Sequence, residues 1–474
     1  MRKFTFNLLI LFLAASYSFA GGIVTNTNQS SAWVRLLVRD ATTEIDAVYF
    51  NPAGLTKLND GFHFSISNQY ITQGKEVLNN YSFLNDGLYE GVVKAPIFPD
   101  VYAAYKTGNV VFSLGFNPIG GGGGATFDSG LPSFEMGISD LVPGLESVGV
   151  KEYSLNTFFE GTSIYFGLQA GVSYALSDEF SVFIGGRYVS ATNTYNGYLK
   201  DVTITFNDNS STTATKFFND VAETYTDAGM TVAAAESFAK AKLLDDQEAD
   251  VKQKGWGLTT IIGFNYSPTD DLNIGFKYES ATKLELKNET AKDFTVGYTA
   301  TGVPITMFPE GEINRADMPA MISLGVDYQI LSKLSVTSGF HYYFDKSANY
   351  GRSLAGVAVK NEDVIDKNYW ELGLGLEYAL TDQLFVSAGY LTANSGVSED
   401  YQTDLSYSLS SNTFGGGLKY ALSEKMALNL GVGYTFYKEG SRVFNHLLDV
   451  VNIPVKESYT KDNLIIGVGF DFSF

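Results

Sequence analysis

The chain has no cysteine in 474 residues. That one absence excludes disulfide frameworks, thiolate metal sites, thiol nucleophiles and a lipid anchor on cysteine. After residue 20 no apolar run approaches the ~20 residues of a membrane-spanning helix, and mean hydropathy is -0.01, so a helical membrane protein is excluded too. Cations are in the minority, 32 Lys and Arg against 52 Asp and Glu, for a formal charge of -20. A nucleic-acid surface has no basis in such a chain, because phosphate contacts need basic residues. Imidazole is nearly missing. His63, His341 and His446 are the three histidines, and none stands at diagnostic spacing from a serine or carboxylate. The glycines Gly120 to Gly124 are not followed by the Lys-Ser/Thr of a phosphate loop. No metal or cofactor is expected.

What is present in quantity is aromatic residues and glycine, with 35 Phe, 30 Tyr and 48 Gly; so aromatic a chain is not disordered. Residues 1–20 have the form of a secretory signal. Arg2 and Lys3 precede the apolar stretch from Leu8 to Ala15, and Ser18-Phe19-Ala20 offers small residues for cleavage after Ala20. The alternative is a membrane-anchoring helix, for which the apolar core is short.

From residue 61 onward the chain alternates bulky with small or polar residues, the period of strands rather than helices. Ile164, Phe166, Leu168, Ala170 and Val172 share one face, against Ser163, Gly167, Gln169, Gly171 and Ser173 on the other. Trp256, Leu258, Thr260, Ile262 and Phe264 repeat the pattern, as do Trp370, Leu372, Leu374 and Leu376. One turn recurs: Tyr174-Ala175-Leu176-Ser177-Asp178, Tyr378-Ala379-Leu380-Thr381-Asp382 and Tyr420-Ala421-Leu422-Ser423-Glu424. Each is followed at once by another alternating strand, which makes a short hairpin. The connections at 207–254 and 287–317 are far longer. Short turns on one rim, long loops on the other and a girdle of strand-closing tyrosines describe an outer-membrane β-barrel. Strand starts near 61, 100, 109, 162, 180, 255, 271, 318, 333, 368, 383, 406, 425 and 460 predict an all-β, antiparallel transmembrane barrel of about fourteen strands over 61–474. A soluble propeller also has regular strands, but it would need its polar face outside. The last strand alternates Leu464, Ile466, Val468, Phe470, Phe472 and Phe474. Its terminal Phe474 resembles the aromatic signal read by the barrel assembly machinery.

Residues 21–60 do not alternate. Asp46-Ala47-Val48-Tyr49-Phe50-Asn51-Pro52-Ala53-Gly54-Leu55 is expected to be a compact knot, since Pro and Gly forbid a central strand and Asn before Pro favours a turn. This segment, with Asn51, Pro52 and Ala53 at its centre, resembles the hatch motif of the FadL/TodX family of outer-membrane transporters for long-chain fatty acids and other hydrophobic compounds. The resemblance extends to the leader, the strand count, the short turns and Met318-Pro319 at the eighth strand. It implies a hatch, residues 21–60, occupying the lumen, and an inward kink in the third strand that opens the wall sideways into the membrane. The counterpart here is Asn117-Pro118-Ile119 followed by Gly120, Gly121 and three further glycines. There pairing should fail for want of a ladder donor and of side chains; a loop tip just past the strand is the other reading.

The resemblance also implies a ligand groove on the third and fourth extracellular loops. Phe217, Phe218 and Phe238, with helix-favouring residues 233–249, stand in one, and Phe294, Ile305, Met307 and Phe308 in the other. Such residues must pack together, bind something, or both. Parity sets Arg187, Lys277, Glu279, Asp327, Glu371, Glu377 and Asp471 inside. Arg187 and Lys277 are the candidates to hold a carboxylate ligand, unless acidic neighbours or hatch backbone take them. The function expected is passive uptake of hydrophobic compounds, without catalytic residues. A surface adhesin or structural barrel and, less favoured, an outer-membrane hydrolase are the rivals. Expected partners are a hydrophobic ligand, outer-membrane lipid and lipopolysaccharide, with a monomeric barrel.

Overall fold

A computed structural model describes residues 23–299, 302–351, 353–354, 357–448 and 451–474; the expected leader lies outside them. Fourteen strands close into a ring. In chain order they are β1 (Gly61–Asn79), β2 (Pro99–Thr107), β3 (Val110–Phe127), β4 (Val150–Ala175), β5 (Phe180–Phe206), β6 (Gln247–Thr269) and β7 (Leu272–Glu279). There follow β8 (Met321–Leu331), β9 (Leu334–Tyr343), β10 (Trp370–Ala379), β11 (Leu384–Asn394), β12 (Ser411–Ser423), β13 (Met426–Tyr437) and β14 (Val451–Ser473). Each is antiparallel to the next, and β14 returns to pair with β1 from His63↔Ser473 to Asn79↔Glu457. No sheet edge is left in the ring, the condition for a sheet to cross a bilayer.

The alternation sets which way each residue faces. Leu168, Trp256, Leu258, Ile262, Leu372, Leu374 and Ile466 are exposed on the outside, while Gln169, Ser173, Arg187, Thr259 and Glu371 are buried inside. Tyr174, Tyr266, Tyr328, Tyr378 and Tyr420 are all exposed at the strand ends beside the short turns. Those turns share a chemistry. Ser177 Oγ accepts from the Phe180 amide and Thr381 Oγ1 from that of Leu384, the side-chain cap that suits Ser and Thr to turns.

Several strands begin earlier than the alternation predicts, β4 at Val150, β6 at Gln247 and β14 at Val451. Beyond the apolar belt the outward positions carry charge, as at Asp250, Lys252 and Lys254. The ladder continues there without the hydrophobic period. The connection after β5 accordingly ends at Gln247 rather than 254. It folds as two helices, Ala214–Asp227 and Thr231–Leu243, the second stopping short of the expected 249.

Residues 23–60 pack on the inner side of the ring. They hold a buried helix, α1 (Ser31–Leu36), a single turn, α2 (Ala47–Phe50), and a 3-10 helix, Pro52–Lys57. The inward glycines are footprints of this segment. A Cβ on Gly275 or Gly389 would run into the carbonyl oxygens of Asp40 and Leu36, so glycine is required for that close approach.

Candidate functional site

Inside the ring, polar side chains of the N-terminal segment are bonded to the strands in every direction. Asp46 accepts from Ser30 Oγ at 3.0 Å, from Arg39 Nε at 2.8 Å and from Arg39 Nη2 at 2.7 Å. Arg35 is paired with Glu377 and donates to Asn429 Oδ1 at 3.0 Å. Asp40 lies 2.6 Å from His341, whose other nitrogen is 3.0 Å from Glu371. A charge buried this deeply persists only when paired and hydrogen-bonded.

The knot at 46–55 has a local explanation. Asn51 is extended, with φ -158°, and Pro52 opens the 3-10 helix, where its missing N–H costs nothing. Asn51 Nδ2 donates to the Phe264 carbonyl at 3.0 Å. The carbonyls of Pro52 and Ala53 accept from Ser173 and Ser181 at 2.6 and 2.8 Å. Ala53 itself is fully buried against Phe183 and Ile261.

Arg187 and Lys277 converge, but on a carboxylate of the protein. Arg187 grips Glu279 through two nitrogens at 2.6 and 3.0 Å, and Lys277 Nζ donates to Glu279 at 2.6 Å and to the Tyr49 carbonyl at 2.9 Å. Both cations also lie against the Tyr49 ring, 5.0 and 4.6 Å from its centre.

At Asn117, Pro118, Gly120 and Gly121 the strand stays inside, and its ladder to β4 shifts register between Pro118 and Gly120 and again between Gly120 and Gly123. Towards β2 the last partner below is Val101↔Phe116, and the next above is Val93↔Ala125, in the segment Leu88–Ala95 that extends β2 upward. In between, the N-terminal arm takes the backbone groups. Asn26 N donates to the Ile119 carbonyl at 2.9 Å, Gly121 N to that of Val24 at 3.1 Å, and Gln29 Nε2 to that of Pro118 at 2.9 Å. Gly121 and Gly123 have φ of 87° and 67°, a region closed to most side chains.

The expected groove residues divide. Phe218, Phe294 and Met307 are buried, Phe294 against Phe134 with ring centres 5.5 Å apart and Phe308 stacked on Tyr195 at 5.0 Å. Phe217 packs on Phe206 and Phe218, whereas Phe238 and Ile305 are exposed, as are Val232 and Val303. Among loop carboxylates, burial pushes Asp293 up although it accepts from the Phe308 amide. Burial also pushes Asp345 up to about 6, against the bonds from Tyr350 OH at 2.5 Å and Tyr369 N at 3.0 Å. On the side of the short turns, a cavity of about 500 Å³ separates Ala41 and Thr43 from Asp178, Asp270, Asp271 and Asp327; its lining is polar. Sequence reasoning missed Arg35, Asp40 and Tyr49, because the N-terminal segment has no period from which to assign a facing side.

A closed fourteen-stranded ring with an apolar outer belt, a polar inside and no helix long and apolar enough to cross a membrane among the described residues is an outer-membrane β-barrel. Residues 160–474 match the model of the outer membrane protein transport protein family (OMPP1/FadL/TodX). The chain belongs to that family, and it is an outer-membrane transport channel, not an enzyme. Among solved structures it resembles a Pseudomonas aeruginosa FadL homologue, at 14% identity and TM-score 0.62 over 98% of this chain and 100% of that one. It also resembles the P. putida toluene transporter TodX, at 14% identity and TM-score 0.54 over 91% and 95%. The Ralstonia pickettii toluene transporter TbuX is similar at 15% identity and TM-score 0.53 over 91% and 94%. No curated protein sequence matches.

Proposed function

We propose that the protein admits hydrophobic compounds passively, that residues 21–60 are a hatch plugging its lumen, and that cargo leaves sideways through the wall at β3. The observation that carries this reading is the stretch 117–124, which has no ladder partner towards β2 and is held by Val24, Asn26 and Gln29 of the N-terminal arm. Backbone bonds made to a movable segment, rather than to a neighbouring strand, can be released without breaking the ring. The acidic, polar cavity on the turn side favours the sideways route, because an apolar solute gains about 0.8 kcal/mol per CH₂ by staying out of water. TodX and TbuX are described as toluene transporters, which supports reading small aromatic hydrocarbons, beside fatty acids, as cargo. The exposed Phe238, Ile305, Val232 and Val303 supply an apolar landing surface on the loops.

Replacing residues 117–124 by an alternating strand sequence is expected to abolish uptake of a hydrophobic fluorescent probe into proteoliposomes while the barrel still shifts on heating in gel electrophoresis. Undiminished uptake by that variant would reject the sideways exit.

A further inference from the structure

On the outer side of β6, where the apolar belt ends, the outward positions change from hydrocarbon to lysine. Trp256 and Leu258 are exposed there, and Tyr188 of β5 stacks on Trp256 with ring centres 5.9 Å apart. Exposed Trp and Tyr mark the level of the lipid headgroups. The next outward residues are Lys254 and then Lys252, each step about 7 Å further along the strand. Both are exposed. On the neighbouring segment Glu285–Lys292, Lys287 stands directly opposite Lys254, and Glu289 opposite Lys252. Like charges so opposed across a ladder repel each other. Glu289 is taken by Lys254 at 2.6 Å, and Glu248 by Lys200 and Lys292. Lys283 is exposed lower down, where its carbonyl passes Gly257. Lys252, Lys283 and Lys287 make no side-chain hydrogen bond or ion pair among the described residues. Across the other ladder, Thr192 and Thr194 of β5 lie opposite Lys254 and Lys252, so their side chains share the outer face. Counting Asp250 and Glu285, this face has six lysines and four carboxylates, a cationic patch on a chain of formal charge -20.

We propose that this face binds the phosphates of a phosphorylated glycolipid of the outer leaflet. Lys252, Lys254 and Lys287 supply charge-assisted donors and Thr192 and Thr194 neutral ones. The acyl chains lie below, on the exposed Trp256, Leu258 and Ile262. A phosphate between Lys254 and Lys287 turns their mutual repulsion into joint attraction. Free phosphate meets the same cations without the apolar half of the contact, and so the lipid is the occupant. Binding of this kind depends on the barrel standing in the outer membrane and on nothing in the route of cargo.

The test titrates bisphosphorylated lipid A and its dephosphorylated form, in mixed maltoside micelles, against the full chain, with bound lipid read by native mass spectrometry. A chelator is present throughout, so that no divalent ion bridges phosphate to Asp250 or Glu285. The unaltered protein is expected to retain the phosphorylated lipid about tenfold or more over the other, as several charge-assisted bonds would give. Lys252→Gln with Lys287→Gln is expected to lower that preference about fivefold, since two charged donors are lost. Lys252→Arg with Lys287→Arg keeps it. Lys333→Gln with Lys425→Gln, exposed on the rim of short turns, leaves it unchanged. Equal retention of the two lipids by the unaltered protein, an undiminished preference in the first variant, or the same loss in the turn-rim variant would overturn the site. Displacement of the lipid by millimolar inorganic phosphate would show an adventitious anion site and overturn it too. Heat-modifiability of each variant reports an intact barrel.

Discussion

Asp46 shows how one side chain organises the N-terminal segment. Its two oxygens take Ser30, two nitrogens of Arg39 and, at 3.3 Å, Thr42. Replacing it by alanine leaves Arg39 buried beside one remaining carboxylate, Glu44, and breaking a buried pair costs about 3–5 kcal/mol. Asp46→Ala is therefore expected to make residues 23–60 sensitive to protease while the barrel stays heat-modifiable; equal protease resistance would contradict the role given to Asp46. Ala53 is limited by space instead of charge. Ala53→Leu forces extra carbons against Phe183 and Ile261, for which overpacking of about 1–3 kcal/mol is expected, read as a lower hatch melting temperature. Parity alone places Arg187, Lys277, Glu279, Glu371, Glu377 and Asp471 inside. It is silent about their partners, because the N-terminal segment packed against the strands obeys no ladder.

Among the elements, the strands were legible and the loops were not. The count of fourteen strands follows from alternation, since bulky residues facing lipid and small or polar ones facing inward recur every second position through the belt. Where the strands outrun the belt, as at Val150 and Gln247, the outward residues are charged and the pattern stops although pairing continues. In the loops, the sequence leaves open whether Phe294 and Met307 pack or bind; in the fold both are buried. The connection between β9 and β10 carries a prediction of its own. Asp345 has its carboxyl raised to about 6 from 3.8 by burial, so folding favours its protonated form. The stability it contributes is complete below about pH 4, falls as pH rises to about 6 and is flat above. The protection of amides around Asp345 against exchange, taken relative to the intrinsic rate at each pH, is accordingly expected to be greater at pH 4 than at pH 7, with the difference removed by Asp345→Asn. Protection independent of pH in the unaltered protein would disprove it.

At the scale of the whole molecule, the question is whether the hatch moves relative to the ring. The absence of cysteine makes a direct measurement possible. Val34 and Gly433 face each other where α1 meets the wall, and a Cβ at Gly433 would stand in ordinary van der Waals contact, 3.9 Å from Val34 Cγ1. Val34→Cys with Gly433→Cys is expected to form a disulfide that stops probe uptake, with reductant restoring it. Full uptake by the oxidised protein would show that cargo needs no displacement of α1. Deleting residues 21–56 is expected to raise leakage of small solutes in liposome swelling, and unchanged permeability would reject the plug.

The sequence by itself determined the class: alternation over lengths that cross a bilayer, repeated tyrosine-closed turns and an unalternating N-terminal segment leave little besides an outer-membrane barrel. Facing is a local property, set by the two-residue period of the strand, and so it can be read along the chain. Partnership is not local. Only the tertiary structure decided that Glu279 occupies Arg187, that Val24 and Asn26 bond to residues 119–121 of β3, and that Lys75 lies opposite Lys461. Each of these joins residues far apart in the chain, where ring closure, and no nearby pattern, brings the charges and hydrogen-bonding groups together.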